Sequence, residues 1–285
     1  MPKEAYFQLF RADAVEWLRR LPDECVDLVV TDPPYESLEK HRAVGTTTRL
    51  SQSKSSSNQW FEIFPNSRFE ELFVEVMRVL KQDRHFYLFC DAETMFVVKP
   101  LAEKVGFKFW KPLIWDKRRI GMGYHYRARY ECILFFEKGK RRLNDLGIAD
   151  VLEVPRVSTG YPTEKPVPLL ETLITQSTEE GELVADPFMG SASAGVAAAL
   201  TDRGFVGSDL SQGSVNLAFE RMTSTGAVKS DDIIADFNKG NQLSLFSLLP
   251  YLELEGISME TDAESSWLAG KDDPAGEALS PEHLV

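Results

Sequence analysis

LVADPFMGSASAGVAAALTDRGFVGSDL, residues 183–210, decides the fold. LVADPF (183–188) reads as a strand, the small residues after it as a turn, and Ser193–Thr201 as a helix. FVGSDL (205–210) and a helix over Gln212–Met222 repeat the pattern. Strands that alternate with helices imply a mainly parallel α/β sheet with helices packed on it. Working outward, KPVPLLETLITQS (165–177) is helical, with prolines only in its first turn, where a missing N–H does no harm. DLVVT (27–31) is a continuous apolar run bounded by turn residues, as expected of a strand buried on both faces. HFYLFC (85–90), KFWKPLIW (108–115) and YECILFFE (130–137) are further strand candidates, and Phe69–Leu80 has helical periodicity. Leu9 to Leu21 reads as a short amphipathic helix around Val15, Trp17 and Leu18.

The chain has 285 residues, 43% apolar and 27% charged, an ordinary globular mix that excludes a wholly disordered or fibrous protein. No stretch approaches the roughly 20 apolar residues of a membrane span, and MPKEAYFQLF lacks the features of a signal peptide, so a cytoplasmic protein is expected. Cys25, Cys90 and Cys132 are far apart and form no CxxC pair, so neither a disulfide framework nor a metal site is expected. The net charge of −12 is concentrated at one end. Residues 225–285 carry 3 basic and 12 acidic side chains, whereas residues 1–224 carry 29 and 32. Within that body, residues 106–142 hold 11 basic side chains against 3 acidic ones, interleaved with Trp110, Trp115, Tyr124, Tyr126 and Tyr130. That pattern suits phosphate contact, with a solvated face beside buried aromatics as the alternative. The division expected is a domain over 1–224, with a polar loop at 36–65 and a basic loop at 117–129, followed by an acidic tail over 225–285.

Two strand ends carry chemistry. Asp32-Pro33-Pro34-Tyr35 follows DLVVT, and ligand groups in open α/β sheets gather at carboxyl ends of strands. An exocyclic base amine offers two hydrogens; the Asp32 carboxylate and the Pro33 carbonyl are two acceptors on a stiff turn. Holding both hydrogens aims the nitrogen lone pair at an electrophile, and Tyr35 offers a ring on which an extruded base could stack. A rigid Pro-Pro turn with incidental neighbours is the structural alternative. Asp186-Pro187-Phe188-Met189-Gly190-Ser191 ends a strand and opens a helix, where small residues admit a ligand to backbone N–H groups. Asp209 follows the next strand and is placed to accept from ribose hydroxyls; a strict GxGxxG pattern is missing, which disfavours a dinucleotide. Tyr161-Pro162-Thr163-Glu164-Lys165-Pro166 precedes a helix, with Thr163 as its expected N-cap and Lys165 able to pair with a cofactor carboxylate.

Together these segments resemble the permuted, β-type DNA amino-methyltransferases, which methylate adenine N6 or cytosine N4 from S-adenosylmethionine. In that family DPPY precedes DPFxGSG, with an (H/N)PTxKP segment just upstream of the latter, and all three occur here in that order. The resemblance runs from about Leu9 to Met222. It implies a Rossmann-like methyltransferase sheet with helices on both faces and a circularly permuted motif order. It also implies that Asp32, Pro33, Pro34 and Tyr35 hold the target base. Asp186, Phe188, Gly190 and Ser191 would cradle the cofactor, Asp209 its ribose, Thr163 and Lys165 its methionine end, and Asp13 its adenine. Arg11-Ala12 departs from the usual glycine context beside Asp13, Tyr161 replaces His or Asn, and GSASA replaces GSGTT.

DPPY rather than SPPY leans toward adenine, with cytosine N4 as the alternative. About 22 residues separate the Phe136 strand from Tyr161, too few for a large recognition insert. The 36–65 loop and Lys117, Arg118, Arg119, Arg127 and Arg129 would therefore read double-stranded DNA, with a homodimer as one way to extend the surface. Gln242-Leu243-Ser244-Leu245-Phe246 resembles the bacterial sliding-clamp-binding peptide, which implies a bacterial or phage-encoded protein at the nucleoid; the alternative is an ordinary apolar strip. Methylation of RNA or a protein glutamine, and an inactive DNA- or clamp-binding module, are the competing readings.

Overall fold

The computed structural model describes residues 5–37, 62–121, 126–157 and 164–234. The 242–246 peptide, Thr163, Tyr161, Tyr124 and most of the 36–65 loop lie outside the described residues. Val26–Thr31 (β2) is buried at all six positions, as its unbroken apolar run requires. Its side chains alternate between two cores. Val29 joins Trp17, Phe69, Phe73 and Val76 on one face; Leu28 and Val30 join Leu169, Leu173, Ala197 and Met222 on the other.

The first face is covered by Ala14–Leu18 (α1), Phe69–Val79 (α2) and Thr94–Val105 (α3). Val167–Ser177 (α4), Ser193–Leu200 (α5) and Gln212–Ser224 (α6) cover the second. Between them lie Tyr6–Arg11 (β1), β2, Leu80–Cys90 (β3), Lys108–Asp116 (β4), Tyr130–Lys138 (β5), Val151–Glu153 (β6), Leu183–Asp186 (β7), Gly204–Asp209 (β8) and Val228–Lys229 (β9). The strand order is β6-β4-β5-β3-β2-β7-β8-β1-β9. All pairings are parallel except those of β5, which runs antiparallel to both β3 and β4. From β2 the chain moves outward to β3, and from β7 outward to β8 on the other side. The crevice between β2 and β7 is thus where the winding reverses, the place at which such sheets bind ligands.

Asp27 fixes the opposite end of β2. Its buried carboxylate accepts from Lys81 Nζ at 2.9 Å, Arg84 NH2 at 3.0 Å and the Leu183 N–H at 3.0 Å, joining β2, β3 and β7.

Three expectations change. Leu9–Leu21 is not one helix: β1 ends at Arg11 and α1 spans only Ala14–Leu18. Phe7 and Phe10 belong to opposite cores, the period of a strand, and the Asp13 carboxylate caps α1 by accepting from the Val15 and Glu16 N–H groups. The helix after Lys165 begins at an N-cap of Pro166, without a side-chain cap, in place of Thr163. The sheet continues beyond Ser224, since β9 pairs with β1 and Ile233 is buried. The cysteines are free thiols, with Cys90 and Cys132 buried. Among the described residues no helix is long and apolar enough to cross a membrane.

Candidate active site

A cleft of about 640 Å³ opens at the carboxyl ends of β2, β7 and β8. Asp32, Pro33, Pro34, Tyr35, Lys165, Asp186, Phe188, Gly190, Ser191 and Asp209 all line it, as does Asp13. Residues separated by more than 150 positions meet there because β2 and β7 are neighbours: the Thr31 hydroxyl donates to Asp186 Oδ1 at 2.6 Å across the strand ends. The same Asp186 oxygen accepts from the Phe188 N–H at 3.0 Å. Burial dominates this carboxyl and pushes its pKa up to about 7, against the lowering effect of those two donors.

The turn after β7 is held by its backbone and by Asp209. Gly190 and Ala192 both have left-handed conformations, φ 50° and 55°. For Ala192 this costs on the order of 1 kcal/mol relative to a right-handed residue. Asp209 accepts from the Gly190 N–H at 3.2 Å and the Ser211 N–H at 2.7 Å, and burial raises its pKa despite them. Arg221, from α6, clamps the turn on its far side. One guanidinium nitrogen donates to the Ser191 carbonyl at 2.8 Å, the Ser191 hydroxyl at 2.6 Å and the Ser193 hydroxyl at 3.1 Å. Another donates to Glu164 Oε1 at 2.7 Å, which ties the segment preceding α4 to the same anchor.

On the β2 side, the Pro34 carbonyl accepts from the Phe64 N–H at 2.7 Å, and Tyr35 forms a bridge with Phe64. Among the described residues no hydrogen bond occupies the Pro33 carbonyl, which leaves it free to accept. Tyr35 is only 8% exposed and packs in the first core, so its ring is less open than a free stacking platform would be. Phe188 packs edge-on against Phe64, with ring centroids 5.0 Å apart.

Lys165 lines the same cleft and is already paired within it. Its ammonium is hydrogen-bonded to Asp32 Oδ2, with Glu131 Oε2 at 3.4 Å. Burial opposes its charge, but Asp32 and Glu131 outweigh burial and hold its pKa above the usual lysine value. Burial raises Asp32; Lys165 pulls it back and the Glu131 charge adds to the rise, leaving the carboxyl above the ordinary aspartate range. Glu131 is held low by Lys165 and Lys117, which overcome its burial. Asp13 is also committed: besides capping α1 it takes Arg68 in a two-pronged pair at 2.8 and 2.9 Å. The Arg68 hydrogen bond overcomes partial burial and keeps its pKa low.

The basic loop is less free than its composition suggests. Lys117 pairs with Glu131, Arg118 with Glu153 and Arg129 with Asp116. Arg127 donates to the Gly121 carbonyl at 2.7 Å; among the described residues neither it nor Arg119 has an ion pair. Tyr126 beside them is fully exposed. Sequence reasoning passed over Glu131, Arg221, Glu164 and Arg68. A charged residue inside the apolar run YECILFFE was the one signal for Glu131; the others have no local signature.

The DNA methylase family matches residues 26–220. The type II methyltransferase M.HpaI of Haemophilus parainfluenzae is 25% identical over 245 residues, covering 76% of this chain and 74% of that protein. The DNA adenine methyltransferase YhdJ of Escherichia coli (strain K12) is 24% identical over 253 residues, 75% and 82% of the respective chains. Among solved structures, the M1.HpyAVI–SAM complex shares the fold at a TM-score of 0.56, with 22% identity, 76% of this chain and 99% of that one. The cytosine-N4-specific PvuII DNA methyltransferase does so at 0.59, with 18% identity, 82% and 93%. The match spans both strand ends that build the cleft, and the chain belongs to the N6/N4 DNA methylase family.

Proposed function

We propose that this chain transfers a methyl group from S-adenosylmethionine to the exocyclic amine of a base extruded from double-stranded DNA, with adenine N6 as the target. The observation that carries this is a single cleft holding both Asp32 and the Asp186–Ser191 turn, linked by the Thr31–Asp186 hydrogen bond. The residues fit the cofactor. Asp209 would accept from ribose hydroxyls, the Gly190 turn and Phe188 would border the nucleoside, and Thr163 and Lys165 would face the methionine end. Bound there, the cofactor supplies a methyl group on a positively charged sulfur, so no metal or protein nucleophile is needed. Asp32 and the Pro33 carbonyl would accept the two amine hydrogens and turn the nitrogen lone pair outward. An amine that takes up the methyl group would have to shed one proton. Asp32, lifted above the ordinary aspartate range by burial, is the adjacent acceptor.

Adenine is favoured by the DPPY form and by the name of the relative YhdJ; the PvuII neighbour keeps cytosine N4 as the second reading. An inactive DNA- or clamp-binding module is the third. Arg119, Arg127 and the other basic side chains of 117–129 would contact phosphate, Gln242, Leu243, Leu245 and Phe246 would engage a sliding clamp, and a homodimer would widen the footprint. The deciding experiment incubates the protein with tritiated cofactor and duplex DNA, then separates the nucleosides. Label in N6-methyladenine is expected, lost in Asp32→Ala while cofactor binding survives. Asp32→Ala turnover near wild type would refute the catalytic role, and a wild type that binds no cofactor would leave the inactive module. Clamp pull-down unchanged by Leu245→Ala and Phe246→Ala would remove the tail proposal.

A further inference from the structure

Glu131 stands where the base-holding turn, the basic loop and the segment before α4 meet. Its Oε1 accepts from Lys117 Nζ at 2.5 Å, and its Oε2 lies 3.4 Å from Lys165 Nζ, whose nearer partner is Asp32. The side chains of Glu131 and Lys165 are 22% and 10% exposed, so these charges are weakly screened. Lys117, Glu131, Lys165 and Asp32 form an alternating, neutral row. That row competes with the proposed reaction: Lys165 occupies Asp32 Oδ2, and its positive charge makes the remaining oxygen a poorer acceptor for a base amine and its proton. Lys165 has a second carboxylate within reach, yet Glu131 is shared with Lys117, the first residue of the basic loop. A phosphate that takes Lys117 would return the whole of the Glu131 charge to Lys165.

We propose that Glu131 is a positioning residue that draws Lys165 off Asp32 when Lys117 turns to a DNA phosphate, so that duplex binding frees the carboxylate that receives the base amine. The inference rests on the function proposed above. No covalent bond changes; each ammonium exchanges one anionic partner for another, and the one anion left unpaired is Asp32, which then accepts from the base amine.

The test is single-turnover methyl transfer at saturating duplex and cofactor, with cofactor affinity measured alongside. Glu131→Gln keeps the shape and removes the charge; its transfer rate should fall about ten- to a hundredfold, the worth of one charged hydrogen bond, with cofactor affinity little changed. Glu131→Asp should recover part of the rate. In a Lys165→Gln background no ammonium remains to be moved, so adding Glu131→Gln should cost less than about threefold. Equal losses in both backgrounds, or a cofactor affinity that falls in step with the rate, would mean a structural role and overturn the proposal. Lys117→Gln should weaken duplex binding yet transfer about tenfold faster at saturation than Glu131→Gln, and equal rates would remove the trigger. A wild type that labels no DNA sinks the proposed function; an active wild type matched by Glu131→Gln sinks this inference alone.

Discussion

Replacing Arg221 by methionine should uncouple the cofactor turn from the chemistry. The guanidinium makes four hydrogen bonds, three to Ser191 and Ser193 and one to Glu164, from a side chain only 22% exposed. Methionine keeps the apolar stem and removes every donor. The Glu164 carboxylate, 14% exposed, then loses its ion pair, and the Ser191–Ser193 turn loses its anchor on α6. A hydrogen bond to a charged partner contributes about 1.5–3 kcal/mol, so the variant should unfold about 2–4 kcal/mol more easily once the serine contacts are included. About 1.5–3 kcal/mol of preorganisation lost at the turn corresponds to a roughly 10- to 150-fold weaker cofactor, while the rate at saturation changes little because Asp32 is untouched. Arg221→Lys can retain the Glu164 pair but not the fork, and should fall between the two. Urea denaturation gives the stability, and calorimetry with S-adenosylmethionine gives the affinity. Full destabilisation with cofactor affinity at the wild-type value would show that the turn holds its shape without Arg221.

Asp27→Asn tests the other end of the sheet. It leaves the partly exposed Lys81, and Arg84 with only Glu182, beside a neutral group and should cost about 1–3 kcal/mol in urea, with cofactor affinity unchanged; a loss below about 0.5 kcal/mol would refute the anchoring role. Asp186→Asn tests burial of charge. Because the folded pKa is raised from 3.8 to about 7, the wild type is most stable below pH 4 on this account. It gives up on the order of 4 kcal/mol as pH rises through 7. Asparagine can keep both acceptor contacts on one oxygen and cannot ionise, so its stability relative to wild type should climb between pH 4 and 8; parallel pH profiles would refute the assignment.

Much of the site was legible because each of its acids directly follows an apolar run. Asp32 follows DLVVT, Asp186 closes LVAD and Asp209 follows FVGS, and in a parallel sheet those ends share one edge. Glu131, Arg221 and Arg68 were not legible. Their partners Lys165, Glu164 and Asp13 lie 34, 57 and 55 residues away, and nothing in the neighbouring residues reports such pairings. The end of β1 was illegible for a related reason: Leu9–Arg11 adjoin the helix positions Val15, Trp17 and Leu18, and three residues are too few to show the period of a strand. It also left the direction of β5 open, since alternation is identical in parallel and antiparallel strands.

Taken alone, the order of residues determined the α/β class, the buried strands and the acids at their ends, because burial periodicity and turn chemistry act over a few neighbours. Tertiary structure decided which of those acids is already spoken for. Lys165 sits on Asp32, Arg68 on Asp13, and the basic loop is partly neutralised by Glu131, Glu153 and Asp116. Charge pairing depends on distance through space, which the sheet order sets and the chain order does not.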